Sequence, residues 1–103
     1  MLFHTVLISF RPDSTNKQRA KAYADLKALG KKCGGERAGV LFWQVKKNLD
    51  LRKNVHLVEL SFFKDKNAFQ AFRKHPMHDK VTRTFKEIAD WQVGDFITNK
   101  IPI

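Results

Sequence analysis

Four histidines are the side chains best suited to chemistry near neutral pH in this chain: His4, His56, His75 and His78. An imidazole changes charge close to pH 6.5, so it can take a proton from an acidic carbon or hydroxyl and return it. The stretch from His56 to His78, HLVELSFFKDKNAFQAFRKHPMH, concentrates the signal. It reads as a buried strand, a short turn, an amphipathic helix stopped by proline, and a histidine just past the stop. That order can hold an ionisable ring at the rim of an apolar pocket. The expected constellation is His78 as base, joined by His4 and His56 from two neighbouring strands. Tyr23, Val58, Leu60, Phe62, Phe69, Phe72 and Val81 are expected to line the rest of the pocket. The plainer alternative is that His4 and His56 cap strand ends and complete hydrogen bonds.

Other chemistries find less support. His75 and His78 are closely spaced, but Pro76 breaks the helix that would align them, and no Cys or Glu cluster accompanies them. No metal site is therefore expected. The phosphate-cradling patterns GxGxxG and GxxxxGK[ST] are missing, as is a nucleophilic Ser or Cys motif, so no cofactor is expected. Cys33, the single cysteine, reads as a small buried hydrophobe.

The elements that must position these residues follow from apolar periodicity. Leu2 to Phe10 is a strand with apolar residues on both faces, hence covered on both sides. Pro12, Asp13 and Ser14 break it and offer a helix cap. A helix follows from about Thr15 to Lys32, with Ala22/Tyr23, Leu26, Leu29 and Cys33 as its inward stripe, ended by Gly34 and Gly35. Gly39 to Lys46 is a second strand, Lys47 to Asn54 a polar connection, and Val55 to Phe63 a third strand. Asp65 caps a helix carrying Ala68, Phe69 and Phe72, which Pro76 stops. A last helix, from about Met77 to Ala89, carries Met77, Val81, Phe85 and Ile88, and Trp91 to Thr98 closes the chain as a strand.

The order strand, helix, strand, strand, helix, strand predicts an α+β, ferredoxin-like βαββαβ protomer. In that reading the first and third strands lie side by side and parallel in the centre, which brings His4 and His56 to the same end. Both rings are expected on the helix side. The other sheet face would show Phe3, Leu7, Leu57 and Phe63, and an uncovered apolar face predicts a homodimer.

Bulk properties set the frame. One domain is expected over all 103 residues; 43% apolar content with nine Phe supplies a real but modest core. One cysteine excludes a disulfide framework and favours a reducing compartment. No apolar run is long enough to span a bilayer. The opening MLFHTVLISFR lacks a basic n-region and a small-residue cleavage site, so the expected location is the cytoplasm. The net charge of +10 would draw the chain towards anionic partners, but the positive residues are scattered, as on a lysine-rich soluble surface.

Three segments, HTVLISFRPD, HLVELSFF and AFQAFRKHPMH with the later WQVGDF, resemble the stress-responsive A/B barrel (Dabb) proteins of the dimeric α/β-barrel superfamily. The likeness spans about residues 3 to 97, with Gly34 to Asn54 matching poorly. It implies a ferredoxin-like protomer pairing into a closed barrel. The family includes plant stress proteins, bacterial proteins of unknown role and the plant polyketide cyclase that forms olivetolic acid. In that cyclase a histidine after His-Pro-x is the base of an aldol closure, aided by a tyrosine of the preceding helix. His78, His4 and His56 stand at the matching histidine positions, whereas Phe72 stands at the tyrosine. The resemblance thus implies a homodimer that binds a mostly apolar small molecule, with histidine-mediated proton transfer; binding without turnover fits the same residues. Alternatives are a non-catalytic structural stress protein, a basic nucleic-acid-binding module, which lacks the RNP1 pattern, and, ranked lowest, a cofactor-free monooxygenase.

Overall fold

The computed structural model describes residues 1–100. Its elements run β1 (Leu2–Phe10), α1 (Asn16–Lys32), a single 3-10 turn (Gly35–Ala38), β2 (Val40–Lys47), β3 (Leu57–Phe63), α2 (Lys66–Lys74), α3 (Pro76–Ile88) and β4 (Ala89–Ile97). The four strands form one sheet in the order β2-β3-β1-β4, with the helices on one face. This is the expected ferredoxin-like α+β arrangement.

Local chemistry sets most boundaries. Thr15 rather than Ser14 opens α1, through a capping box in which Gln18 reaches back to the Thr15 N–H. Gly34 then ends the helix in a left-handed conformation, φ 105°. Asp65 caps α2 by accepting from the Ala68 N–H at 2.8 Å. His75 closes α2 and opens α3 at once: its ring Nδ1 accepts from the Met77 N–H at 3.1 Å, and Pro76 fills the first position of the new helix.

The core lies between the sheet and the helices, around Phe63, Phe69, Phe72, Phe85, Leu26 and Leu29. Phe63 is fully buried and meets Phe69 and Phe72 at ring-centroid distances of 5.0 and 4.9 Å. Burying a side chain of this kind stabilises the fold by about 1.5–3 kcal/mol. Helix α1 approaches β2 so closely that a Cβ on Gly30 would sit 2.5 Å from the Trp43 ring. The Trp43 Nε1–H donates to the Leu26 carbonyl at 3.0 Å, locking the contact.

Two expectations about the sheet are corrected. First, β1 and β3 are antiparallel, not parallel: His4 faces Ser61 and Ile8 faces Leu57. In this topology β2 runs in the same direction as β1 but at the sheet edge, and the hairpin into β3, which fits between them, reverses the chain. His4 and His56 therefore belong to opposite ends of the sheet. Second, directly opposed residues share a face, so the even positions of β1 go with the odd positions of β3. Leu57, Glu59, Ser61 and Phe63 point to the helices and are buried. Leu57 and Phe63 are thus not on the open face. That face carries Phe3 and Leu7 with Val58, Leu60 and Phe62, and from the outer strands Phe42 and Phe96. Phe3 stacks on Phe96 at 4.4 Å and meets Phe62 edge-on at 5.3 Å. Among the described residues, no helix is long and apolar enough to cross a membrane.

Candidate functional site

A cavity of about 350 Å³ opens between the sheet and the helices, within the usual range for small-molecule pockets. Its walls are mainly apolar, with Val6, Ile8, Leu26, Leu29 and Val81 beside the aromatic rings of Trp43, Phe69, Phe72, Phe85 and Trp91. The polar groups on it are His4, Glu59, Asp95, Arg73, His78 and Thr82.

The sheet supplies three of these in a row. His4 points inward from β1, and Asp95 is its direct partner on β4. Glu59 on β3 faces Val6, one inward position further along β1, so it lies diagonally beside His4. The His4 ring is gripped through Nδ1 by the Asp95 carboxylate. Its Nε2 lies 3.5 Å from Glu59 Oε2, and the ring rests 4.9 Å from that of Phe69. The Glu59 side chain is 1% exposed, and neither carboxyl oxygen has a hydrogen-bond partner among the described residues. Burial pushes this carboxyl up to about 8; the nearby Ser61 hydroxyl opposes the shift and the charge of Asp95 adds to it. At neutral pH Glu59 therefore holds its proton.

The helices supply the opposite wall. The junction at His75-Pro76 puts His78 in the first turn of α3, where its ring packs edge-on against Phe72 at 4.9 Å. Burial holds the His78 imidazole below its ordinary pKa, and the charge of Arg73 and then the electrostatic influence of the His4 ring act in the same direction against a smaller opposing pull from Asp79. A helix N-terminus also disfavours a cation there. The Thr82 hydroxyl, one turn on, sits 3.5 Å from His78 Nδ1. Cys33, at the end of α1, is buried, and burial raises its thiol pKa, opposed by contact with the His78 backbone. It is a packing residue.

The cavity thus presents a protonated acid on one wall and a neutral imidazole on another. Groups whose environments push their protonation in opposite senses are suited to donating to and accepting from a single bound molecule. Among the described residues, no group of three His, Cys, Asp or Glu is arranged to hold a metal ion.

Of the residues singled out from sequence, His4, His78, Phe69, Phe72 and Val81 meet around this cavity. His56 does not. It lies at the far end of β1, about 17 Å from His4 for five strand residues, where its Nδ1 accepts from the Phe10 N–H at 2.9 Å. Burial, and then the charge of Arg19, lower its pKa. The antiparallel pairing is the reason. Val58, Leu60 and Phe62 lie on the other sheet face, by the parity described above. Tyr23 packs on the outer side of the core under the ammonium groups of Lys27 and Lys47, at 4.8 and 5.8 Å from its ring. Sequence reasoning missed Glu59 and Asp95. The available signal was an acid inside the apolar run HLVELSFF, and a second acid in WQVGDF.

The family model of the stress responsive A/B barrel domain matches residues 2–98. The chain belongs to the Dabb family. Solved structures agree with this Dabb fold. A dimeric ferredoxin-like protein of unknown function from Thermobifida fusca superposes with a TM-score of 0.80 at 16% identity, covering 94% of this chain and 90% of that one. The hydroxynitrile lyase of Passiflora edulis gives 0.79 at 18% identity over 98% and 96%. A Dabb family protein with a ferredoxin-like fold from Mesorhizobium loti gives 0.78 at 17% identity over 96% and 97%. No curated protein matches the chain significantly. At these identities the structural likeness extends to the fold alone.

Proposed function

We propose that this Dabb protein is a homodimer that binds a mostly apolar small molecule in the cavity between sheet and helices. His78 and His4 hold and move a proton at its polar end. The observation that carries the reading is the composition of the cavity: a largely aromatic and aliphatic hollow with two imidazoles in its wall. A hydroxynitrile lyase on the same fold supports small-molecule chemistry as within its reach. Phe72 beside His78 leaves no tyrosine hydroxyl there, so the proposed proton transfer does not include the tyrosine-aided aldol closure.

The test is titration with 4-propylphenol followed by NMR. We expect resonances of His78, Val81 and the Trp91 indole to shift, and His78→Ala to weaken binding at least tenfold while the fold persists. Unchanged affinity in that variant would remove His78 from the site. If the protein is instead a structural stress protein, cavity substitutions will alter stability only.

The dimer is proposed through the open sheet face, with Phe3, Leu7, Leu60, Phe62 and Phe42 at its centre. Leu7 and Phe42 are 37% and 39% exposed, which is costly for an apolar patch of this extent. Several relatives with this fold are described as dimeric. Sedimentation at micromolar concentration is expected to give a dimer, and Leu7→Glu a monomer of unchanged circular dichroism. A monomeric native protein would refute the dimer. The net charge of +10 together with the exposed rings of Phe42 and Phe96 favours a second reading, base stacking on that face. A salt-sensitive gel shift with single-stranded RNA would support it, and no shift at low salt would dismiss it.

A further inference from the structure

We propose that Glu59 is the polar anchor of the cavity and selects an uncharged ligand bearing a hydroxyl group, which the carboxyl meets as donor and acceptor at once. This rests on the small-molecule reading above.

The argument begins with an unmet need. Both oxygens of Glu59 are buried without a hydrogen-bond partner among the described residues, on the wall of the cavity. A buried polar group left in that state destabilises the fold. His4 and the Ser61 hydroxyl are the neighbouring groups, but the hydroxyl is directed at the His4 carbonyl at 3.4 Å, and His4 Nε2 stands 3.5 Å from the carboxyl, beyond a good hydrogen bond, with Asp95 restraining the ring from the other side. A bound molecule can supply what the protein does not.

Charge then narrows the class. Arg73 shares the cavity, on a chain of net charge +10, so a cationic ligand meets repulsion. Asp95 and a desolvated carboxyl oppose an anion. An uncharged group remains. A protonated carboxyl offers one O–H and one carbonyl oxygen. A ketone would use only the first. A hydroxyl, which both donates and accepts, satisfies both.

The experiment is calorimetric titration of the whole protein with 4-propylphenol, propylbenzene and 4-propylbenzylamine, on the native chain, Glu59→Leu and Glu59→Gln. The native protein is expected to favour the phenol over propylbenzene at least tenfold. Glu59→Leu should bind propylbenzene and reduce the preference below threefold. Glu59→Gln, whose amide also donates and accepts, should keep part of it and serves if the leucine variant fails to fold. Equal affinity of the native chain for phenol and hydrocarbon overturns the proposal but leaves the apolar cavity standing. So does a preference that survives in both variants. Tightest binding of the amine overturns it in favour of an ionised Glu59. Binding of none of the three overturns the cavity reading and this proposal with it.

Discussion

His4 on β1 and His56 just before β3 look equivalent in one dimension, yet the fold gives them unlike work. His4 is clasped by Asp95, lies beside a partnerless acid and looks into a cavity. His56 accepts one backbone N–H at the other end of the sheet, near Arg19 and the Phe10 ring. The difference teaches that an imidazole on a strand acquires chemistry from what faces it across the ladder. Here the facing residues are set by strand direction.

The sharpest way to press that comparison is through Glu59, the group that sets the His4 end apart. Its folded pKa is about 8 against an ordinary 4.5, so the folded chain keeps a proton that the unfolded chain has released. The contribution of Glu59 to stability should therefore be full below pH 4.5, fall between 4.5 and 8, and level off above, by about 3–5 kcal/mol in total. Glu59→Gln should remove that alkaline decline and be the more stable form at pH 8 in urea melts. An unchanged slope would mean that Glu59 is ionised at neutral pH. His78 works in the opposite sense. Its lowered pKa makes its contribution complete above 6.5 and reduces it as pH falls below, so the acid limb should survive in Glu59→Gln and shrink in His78→Ala, leaving the smaller part due to His56.

A binding comparison comes next. His4→Ala is expected to weaken 4-propylphenol binding about tenfold, whereas His56→Ala should change it less than twofold. Equal losses in both variants would erase the distinction between the two ends. The smallest effect concerns His56 itself. Loss of its bond to the Phe10 N–H should lower stability by about 1 kcal/mol, measurable as a shift in denaturation midpoint.

The order of elements was legible because its signals are local. Asp65 and the Pro76 break mark helix ends through backbone chemistry that needs no tertiary context. The same is true of His78, which is carried to the cavity by the proline junction and by the stripe of Phe72 and Val81. The direction and phase of β3 relative to β1 were not legible. β1 and β3 carry apolar residues on both faces, so a period of two does not say which face is inward. Glu59 deepened the ambiguity: an acid in a strand ordinarily marks the solvent side, and here it marks the inside. Asp95 drew no attention because β4 is mostly exposed, and its importance appears only when His4 is found opposite.

The single residue that ends α2 and begins α3 has a mechanical consequence. With no spacer between the two helices, the backbone has no slack at His75, and Pro76 fixes the direction in which α3 departs. The His78 ring, three residues on, cannot be re-aimed by a supple loop. To enlarge the hollow, α3 must tip as a stiff lever about that joint, carrying Thr82 and Phe85 along with the imidazole.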